Sequence, residues 1–97
     1  MEIKIHSAVN LDSKFKEFIE EKFSKLNKFV FEKGQASLYI TKERHLYLTK
    51  IKITTKNFSV FLEDSDADLS KSIESLHSRT KRQLRKYHDK ITNKPRN

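Results

Sequence analysis

The 97-residue chain contains no cysteine, one glycine and one proline. Without cysteine it can form neither a disulfide nor a thiolate metal site, and it cannot attack a substrate through a thiolate. A single glycine excludes the glycine-rich loops that hold the phosphates of nucleotides. Several classes of enzyme are therefore closed to this sequence, and we expect no cofactor.

Long hydrophobic runs are also missing. No segment approaches the roughly 20 apolar residues of a membrane span, and the first five residues alternate in polarity instead of forming the apolar part of a signal peptide. We therefore expect a cytoplasmic protein. Its length suits one compact domain, which we place at residues 1–91, followed by a short polar tail at 92–97.

Positive charge is abundant and unevenly distributed. The chain has 21 lysines and arginines against 13 aspartates and glutamates, a formal net charge of +8. Residues 1–68 contain 12 basic and 11 acidic side chains, whereas residues 69–97 contain 9 and 2. Charge concentrated in one segment indicates a polyanionic partner, because charge that only keeps a protein soluble is usually mixed in sign along the chain.

The first third of the chain predicts a strand and then a helix. Apolar and polar residues alternate from Met1 to His6, which is the period of a half-buried strand. After Asp12, a candidate N-cap, apolar residues recur every three or four positions as far as Phe29. We expect one helix over this range, terminated by Gly34.

Three β-branched or aromatic runs follow, at residues 36–41, 48–54 and 58–62. Short polar links separate them, so they predict an antiparallel meander. The inward face of the third run stays open, because apolar residues fall on both of its faces.

A second helix is predicted from Asp68, its expected N-cap, to near the end of the chain. Its apolar residues form one stripe that would pack on the sheet: Leu69, Ile73, Leu76, Thr80, Leu84, Tyr87 and Ile91. Four carboxylates come just before this helix, at Glu63, Asp64, Asp66 and Asp68. They lack the glycine and the final glutamate of a calcium loop, so we expect them to interact with the dipole at the start of the helix.

The predicted order is strand, helix, three strands, helix. Both helices need a sheet face to cover their apolar stripes. The expected fold is therefore α+β, a β-α-β-β-β-α domain with one four-stranded sheet and two helices packed on one face.

The second helix also has a basic face. Opposite its apolar stripe, within an arc of roughly 120° at the ideal helical angle, lie Lys71, Arg79, Arg82, Arg85 and Lys86. A helix that is merely solvated mixes charges to form i,i+4 pairs, but this one has only two acidic residues, Glu74 and Asp89. We expect the face to bind phosphates, since lysine and arginine neutralise them with release of counterions.

Lysines on the first helix are harder to interpret. They are interleaved with Glu17, Glu20 and Glu21, so an ordinary salt-bridged surface and a supporting role in binding are equally good interpretations.

The four histidines fall on separate elements and show no metal-ligand spacing. Nothing in the sequence pairs two of them as a catalytic acid and base. We therefore expect no enzymatic activity, no metal site and no small-molecule substrate.

Four short strings carry a family resemblance. They are Val9-Asn10-Leu11-Asp12, Lys22-Phe23-Ser24-Lys25-Leu26, Asp68-Leu69 followed by Ile73-Glu74, and Arg82-Gln83-Leu84-Arg85-Lys86-Tyr87-His88-Asp89-Lys90. In this order and spacing they resemble the ribosome hibernation promoting factor family, whose sequences carry R-Q-L-x-K-x-x-D-K near the end of the domain. The resemblance extends over nearly the whole chain and is closest to the family's short members.

This resemblance implies that the protein binds the small ribosomal subunit in the channel used by mRNA and tRNA, and that it inhibits translation while ribosomes are stored inactive. It implies no membrane partner. The contacts with ribosomal RNA that it implies are at Lys22, Lys25, Lys28, Arg79, Arg82, Lys86 and Lys90, and the basic face adds Arg85. Binding of the short form is associated with ribosome dimers, so a second ribosome is a further expected partner.

Two alternatives stay open. A double-stranded RNA-binding domain has a similar order of elements, although it places lysines at the start of its last helix, where this chain has carboxylates. The other is an interaction module for an acidic protein or a membrane surface. Sedimentation through sucrose separates these classes, because only a ribosomal factor migrates with small subunits.

Overall fold

The structure, a computed structural model, describes residues 2–30 and 34–92, with side chains as far as residue 90. Its elements are β1 Glu2–Ser7, α1 Ser13–Ser24, a 3-10 helix Lys25–Phe29, β2 Gln35–Glu43, β3 Leu46–Thr54, β4 Ser59–Asp66 and α2 Leu69–Thr92. This order confirms the predicted β-α-β-β-β-α fold. Met1, the Ile91 side chain and residues 93–97 of the predicted tail lie outside the described residues.

The four strands form one sheet in the order β1-β2-β3-β4. β1 is parallel to β2, whereas the β2–β3 and β3–β4 pairs are antiparallel. A parallel pair needs a crossover connection, which α1 supplies. The predicted antiparallel meander is confirmed.

One face of the sheet carries the hydrophobic core. Its buried strand residues are Ala36, Leu38, Ile40, Ile51, Ile53 and Val60. The helical segments cover this face with Ile19, Phe23, Leu26, Phe29, Ile73, Leu76 and Leu84. Side chains alternate between the two faces of a strand, and none of the described helices packs on the opposite face, which is therefore open within residues 2–30 and 34–92.

β4 presents Val60 to the core and Phe61 to solvent, with exposed fractions of 4% and 59%. Val60 is paired with Ile53 of β3, whose side chain is fully buried. Pairing with β3 therefore decides the inward face, which the sequence pattern left open.

β4 is longer than predicted. The third run was predicted to end at residue 62, just ahead of the carboxylates, but the antiparallel ladder continues to the pair Tyr47–Asp66. The prediction fell short because polar side chains are compatible with this edge strand: each one either faces solvent or forms a hydrogen bond. Asp64, for example, accepts a hydrogen bond from the Ser75 hydroxyl at 2.7 Å.

The first helix begins where it was predicted to begin. Asp12 Oδ1 accepts a hydrogen bond from the Phe15 amide at 2.7 Å, so Asp12 is the N-cap. The helical segment ends at Phe29 as predicted, since extended Val30 follows it directly. It is not one continuous α-helix, however, because the α-helix stops at Ser24 and tightens into the 3-10 helix.

Gly34 is not a left-handed helix cap, because no glycine has a positive φ within residues 2–30 and 34–92. It is buried beside the end of β3. A Cβ at this position would lie 3.1 Å from Thr55 Cγ2 and 3.3 Å from the Thr54 carbonyl oxygen. A side chain here would therefore push its neighbours aside by a few tenths of an ångström, and glycine avoids this crowding.

α2 begins at the predicted cap. Asp68 Oδ1 accepts hydrogen bonds from the amides of Ser70 and Lys71, at 2.9 and 3.3 Å. The predicted apolar stripe faces the sheet, since Ile73 and Leu84 are completely buried. These contacts fix which sides of α2 remain available for a partner.

Candidate nucleic-acid interface

The two helices lie side by side and run in the same direction. Phe23 of α1 contacts His77 of α2 edge-on, with ring centroids 5.1 Å apart. Further along both segments, Phe29 contacts His88 in the same way at 5.8 Å. The basic end of the first helix therefore lies alongside the basic part of α2.

Three lysines from the two helices lie near His77. The charges of Lys22, Lys81 and Lys25 all act on its imidazole. Lys81 follows His77 by four residues, which places it one turn further along the same side of α2. Lysines of the first helical segment and of α2 thus form one cationic surface at the helix–helix junction.

Lys81 was missed by sequence reasoning. The predicted basic face was drawn opposite the apolar stripe of α2, whereas Lys81 lies on the side facing α1. Its position becomes meaningful only once His77 is known to contact Phe23. No signal within the α2 sequence indicates that contact.

Burial is the main cause of a lowered pKa at His77, and the nearby lysine charges lower the pKa further. A hydrogen bond with the Lys22 backbone partly opposes this shift. His77 Nε2 is buried without a hydrogen-bond partner among the described residues. The imidazole therefore favours its neutral form, and the positive charge of this surface comes from the lysines.

The outer side of α2 carries the arginines that were predicted to bind phosphate. Arg82, Arg85 and Lys86 are exposed, and so is Lys90 one turn further on. They occupy the side away from the buried residues Leu76 and Leu84. This part of the predicted basic face exists as an exposed surface.

Two of the predicted lysines on the first helix lie over aromatic rings. Lys22 Nζ is 5.8 Å from the centroid of the Phe18 ring, and Lys28 Nζ is 5.2 Å from that of Phe29. Such contacts orient an ammonium group without neutralising it. Lys25, between them in the chain, is exposed.

Arg79 has a different environment from the other predicted residues. Its guanidinium donates to the Glu63 carbonyl oxygen at 2.6 Å and to Asp64 Oδ2 at 3.2 Å. The Asp64 side chain, only 12% exposed, also accepts from the Ser75 hydroxyl. Arg79 therefore fastens α2 to β4, and part of its charge is already neutralised.

The acidic residues before α2 are used within the fold. Asp68 caps the helix, and Asp66 Oδ1 accepts the Asp68 amide at 2.8 Å. Glu63 forms an exposed ion pair with Lys50 at 3.8 Å. Over residues 2–30 and 34–92, no three histidine, aspartate or glutamate side chains are grouped so that they could hold a metal ion.

No helix within the described residues has the length and hydrophobicity needed to cross a membrane.

Solved structures with the same fold include two small domains. The N-terminal domain of Thermus thermophilus Protein Y is 18% identical, with a TM-score of 0.80 over 90% of this chain and 99% of that one. A ribosomal subunit interface protein from Coxiella burnetii is 14% identical, with a TM-score of 0.78 over 90% and 97%. At these identities the likeness establishes the fold alone, a small α+β domain with one helical face.

The family follows from the sequence match. The chain belongs to the family described as sigma 54 modulation protein / S30EA ribosomal protein, whose model matches residues 2–92. A curated relative, the ribosome hibernation promotion factor of Lactococcus lactis subsp. cremoris, is 28% identical over 92% of this chain. The match covers 50% of that relative, so this chain spans about half of its length. The predicted family is confirmed.

Proposed function

We propose that this chain is a ribosome hibernation factor that acts in the cytoplasm. It binds the small ribosomal subunit at the mRNA and tRNA channel, inhibits translation and favours the storage of inactive ribosomes. The family and the name of the Lactococcus relative support a ribosomal partner. The pairing of two ribosomes remains a prediction.

The observation that carries the proposal is the continuous cationic surface across both helices. The charges of Lys22 in α1, Lys25 in the 3-10 helix and Lys81 in α2 all act on His77. The exposed Arg82 and Arg85 continue the surface around α2. Side chains of this type neutralise phosphates and release condensed counterions. Their contacts position a protein on RNA without reading its sequence, which suits a rigid ribosomal RNA channel.

The residues proposed to contact ribosomal RNA are Lys22, Lys25, Lys28, Lys81, Arg82, Arg85, Lys86 and Lys90. Arg79 is proposed to act mainly by fixing α2 on β4, because its guanidinium already has two acceptors there. Inhibition requires only occupancy, since a domain held in the channel excludes mRNA and tRNA. We propose no chemical step.

Sedimentation of purified small subunits with matched charge reversals tests this function. Arg82→Glu with Lys86→Glu, and separately Lys22→Glu with Lys25→Glu, should abolish co-sedimentation. The control is Lys14→Glu with Lys16→Glu, which makes the same change in net charge at exposed positions in the first turn of α1. Circular dichroism should be unchanged in all three, because every substituted side chain lies outside the core.

Equal loss in the control would show that binding depends on net charge and not on this surface. Undiminished binding of the two test variants would mean that these basic side chains face only solvent and do not contact RNA. Ribosome dimers in the same gradients, formed by wild type and absent with the test variants, would support the predicted pairing.

A further inference from the structure

The open face of the sheet carries aromatic and basic side chains that the helical surface does not use. Two neighbouring rows run across the four strands on this face. The register aligns them as His6, Tyr39, Lys50 and Glu63 in one row, and Lys4, Ser37, Lys52 and Phe61 in the other. No helix covers these rows, since both helices pack on the opposite face.

The aromatic residues on this face are accessible and partly preordered. Phe61 is 59% exposed and Tyr39 is 40% exposed. The imidazole of His6 stacks on the Tyr39 ring, with centroids 4.9 Å apart and planes at 14°. A planar ligand can therefore stack on rings that are already oriented.

Lysines surround these rings. Lys50 lies opposite Tyr39 and Lys52 lies opposite Phe61, so both ammonium groups arise from the strand between the two aromatic residues. Glu63 pairs with Lys50 at 3.8 Å, but both side chains are about half exposed, at 57% and 48%. An exposed pair of this kind is weak and can be exchanged for a phosphate contact.

Aromatic rings and lysines at this spacing match the chemistry of a single strand of RNA. Tyr39 and Phe61 lie two strand spacings and two residues apart, a distance of about 12 Å at ordinary sheet spacings. Two unstacked bases can each occupy one ring while the backbone passes over Lys50 and Lys52. Sheet faces that bind single strands use this combination of stacking and phosphate contacts.

We propose that the open sheet face is a second RNA-binding surface, which takes unpaired bases of single-stranded RNA on Tyr39 and Phe61. It extends the proposed function, since the ligand class is still RNA, but it uses the opposite side of the domain. A second copy of this chain fits less well. A self-complementary contact would bring Lys4, Lys50 and Lys52 of both copies together.

Fluorescence anisotropy with a labelled single-stranded RNA of about eight nucleotides tests the surface. Phe61→Ala and Tyr39→Ala should each weaken binding at least about fivefold, the lower range for loss of one base–aromatic stack. Phe61→Trp should keep the affinity because it keeps a ring. The control is Leu46→Ala, which removes an apolar side chain, 43% exposed, from the start of β3 outside the two rows. It should bind as wild type does.

Three results would overturn the proposal. The first is that wild type does not bind the oligonucleotide even at low salt, the second is that Leu46→Ala weakens binding as much as Phe61→Ala does, and the third is that Phe61→Ala loses self-association with its RNA affinity unchanged. The double variant Arg82→Glu with Lys86→Glu separates the two surfaces. It should lose ribosome binding and keep the oligonucleotide. If it loses the oligonucleotide while Phe61→Ala keeps it, the sheet proposal fails and the ribosomal function stands. If wild type binds the oligonucleotide through Phe61 but never sediments with small subunits, the ribosomal function fails alone.

Discussion

His77 meets the ring of Phe23 edge-on, with the two ring planes at 88°. This contact joins α2 to α1 and places an imidazole beneath Lys22, Lys25 and Lys81. Burial first, and then these charges, lower its pKa from the ordinary value of 6.5. The native protein therefore takes up a proton at this site less readily than the unfolded chain does.

His77 should make stability depend on pH. Below pH 6.5 the unfolded chain binds the proton before the native protein does, so the contribution of His77 is complete above 6.5 and is lost as the pH falls toward the native pKa. Denaturant unfolding between these limits should show the free energy of unfolding rising with pH. His77→Gln should flatten this rise, whereas His45→Gln, at an exposed turn, should not. An unchanged slope in His77→Gln would contradict the prediction.

The Asp64–Arg79 contact should contribute to stability. Asp64→Ala removes the acceptor of the Ser75 hydroxyl and of the Arg79 guanidinium, and should lower the free energy of unfolding by about 1–2 kcal/mol. Glu74→Ala, which removes an exposed carboxylate of α2, serves as the control.

In ribosome binding, Arg79→Gln should have less effect than Arg82→Gln, because the Arg79 guanidinium is already bound to Glu63 and Asp64. The reverse order would show that Arg79 contacts RNA directly.

Thr49 and Ser72 should be energetically coupled. Both are fully buried, and their hydroxyl oxygens are 2.8 Å apart between β3 and α2. Each single substitution, Thr49→Val or Ser72→Ala, removes the hydrogen-bond partner of the other buried hydroxyl. It should therefore lower the free energy of unfolding by about 1–3 kcal/mol. The double variant should be less destabilised than the sum of the two single variants. Simple additivity in urea unfolding would show that the hydrogen bond contributes nothing.

Binding to small subunits should weaken steeply with salt. Each phosphate that is neutralised adds roughly 0.7 to 0.9 to the slope of log affinity against log salt concentration. Arg82→Gln should reduce the measured slope by about one such step, because it removes one cation. A slope near zero for the wild type would exclude binding through phosphates.

Inhibition of translation should be stoichiometric. The proposed mechanism is occupancy, so activity in a cell-free system should fall until there is about one protein per ribosome, with the RNA intact on gels. Full inhibition at a small fraction of that ratio, together with cut RNA, would identify a nuclease.

Much of the fold is encoded in short stretches of sequence. The caps Asp12 and Asp68, the apolar stripe of α2 and the order of strands and helices could all be predicted. Each depends on residues within one or two turns of the same element. The exposed arginines Arg82 and Arg85 could be predicted for the same reason, because helical geometry alone places them opposite the core.

Other features depend on which elements become neighbours. Pairing with β3 decides the inward face of β4 and extends that strand to Asp66, and the extension brings Asp64 to Arg79. Packing of α1 against α2 brings Lys81 to Lys22 around His77. Local periodicity does not record such contacts, because they join different elements; Asp64 and Arg79 are 15 positions apart and Lys22 and Lys81 are 59. The sequence by itself therefore determined the elements and their polar and apolar sides, whereas tertiary packing decided which charges act together and which are neutralised within the fold.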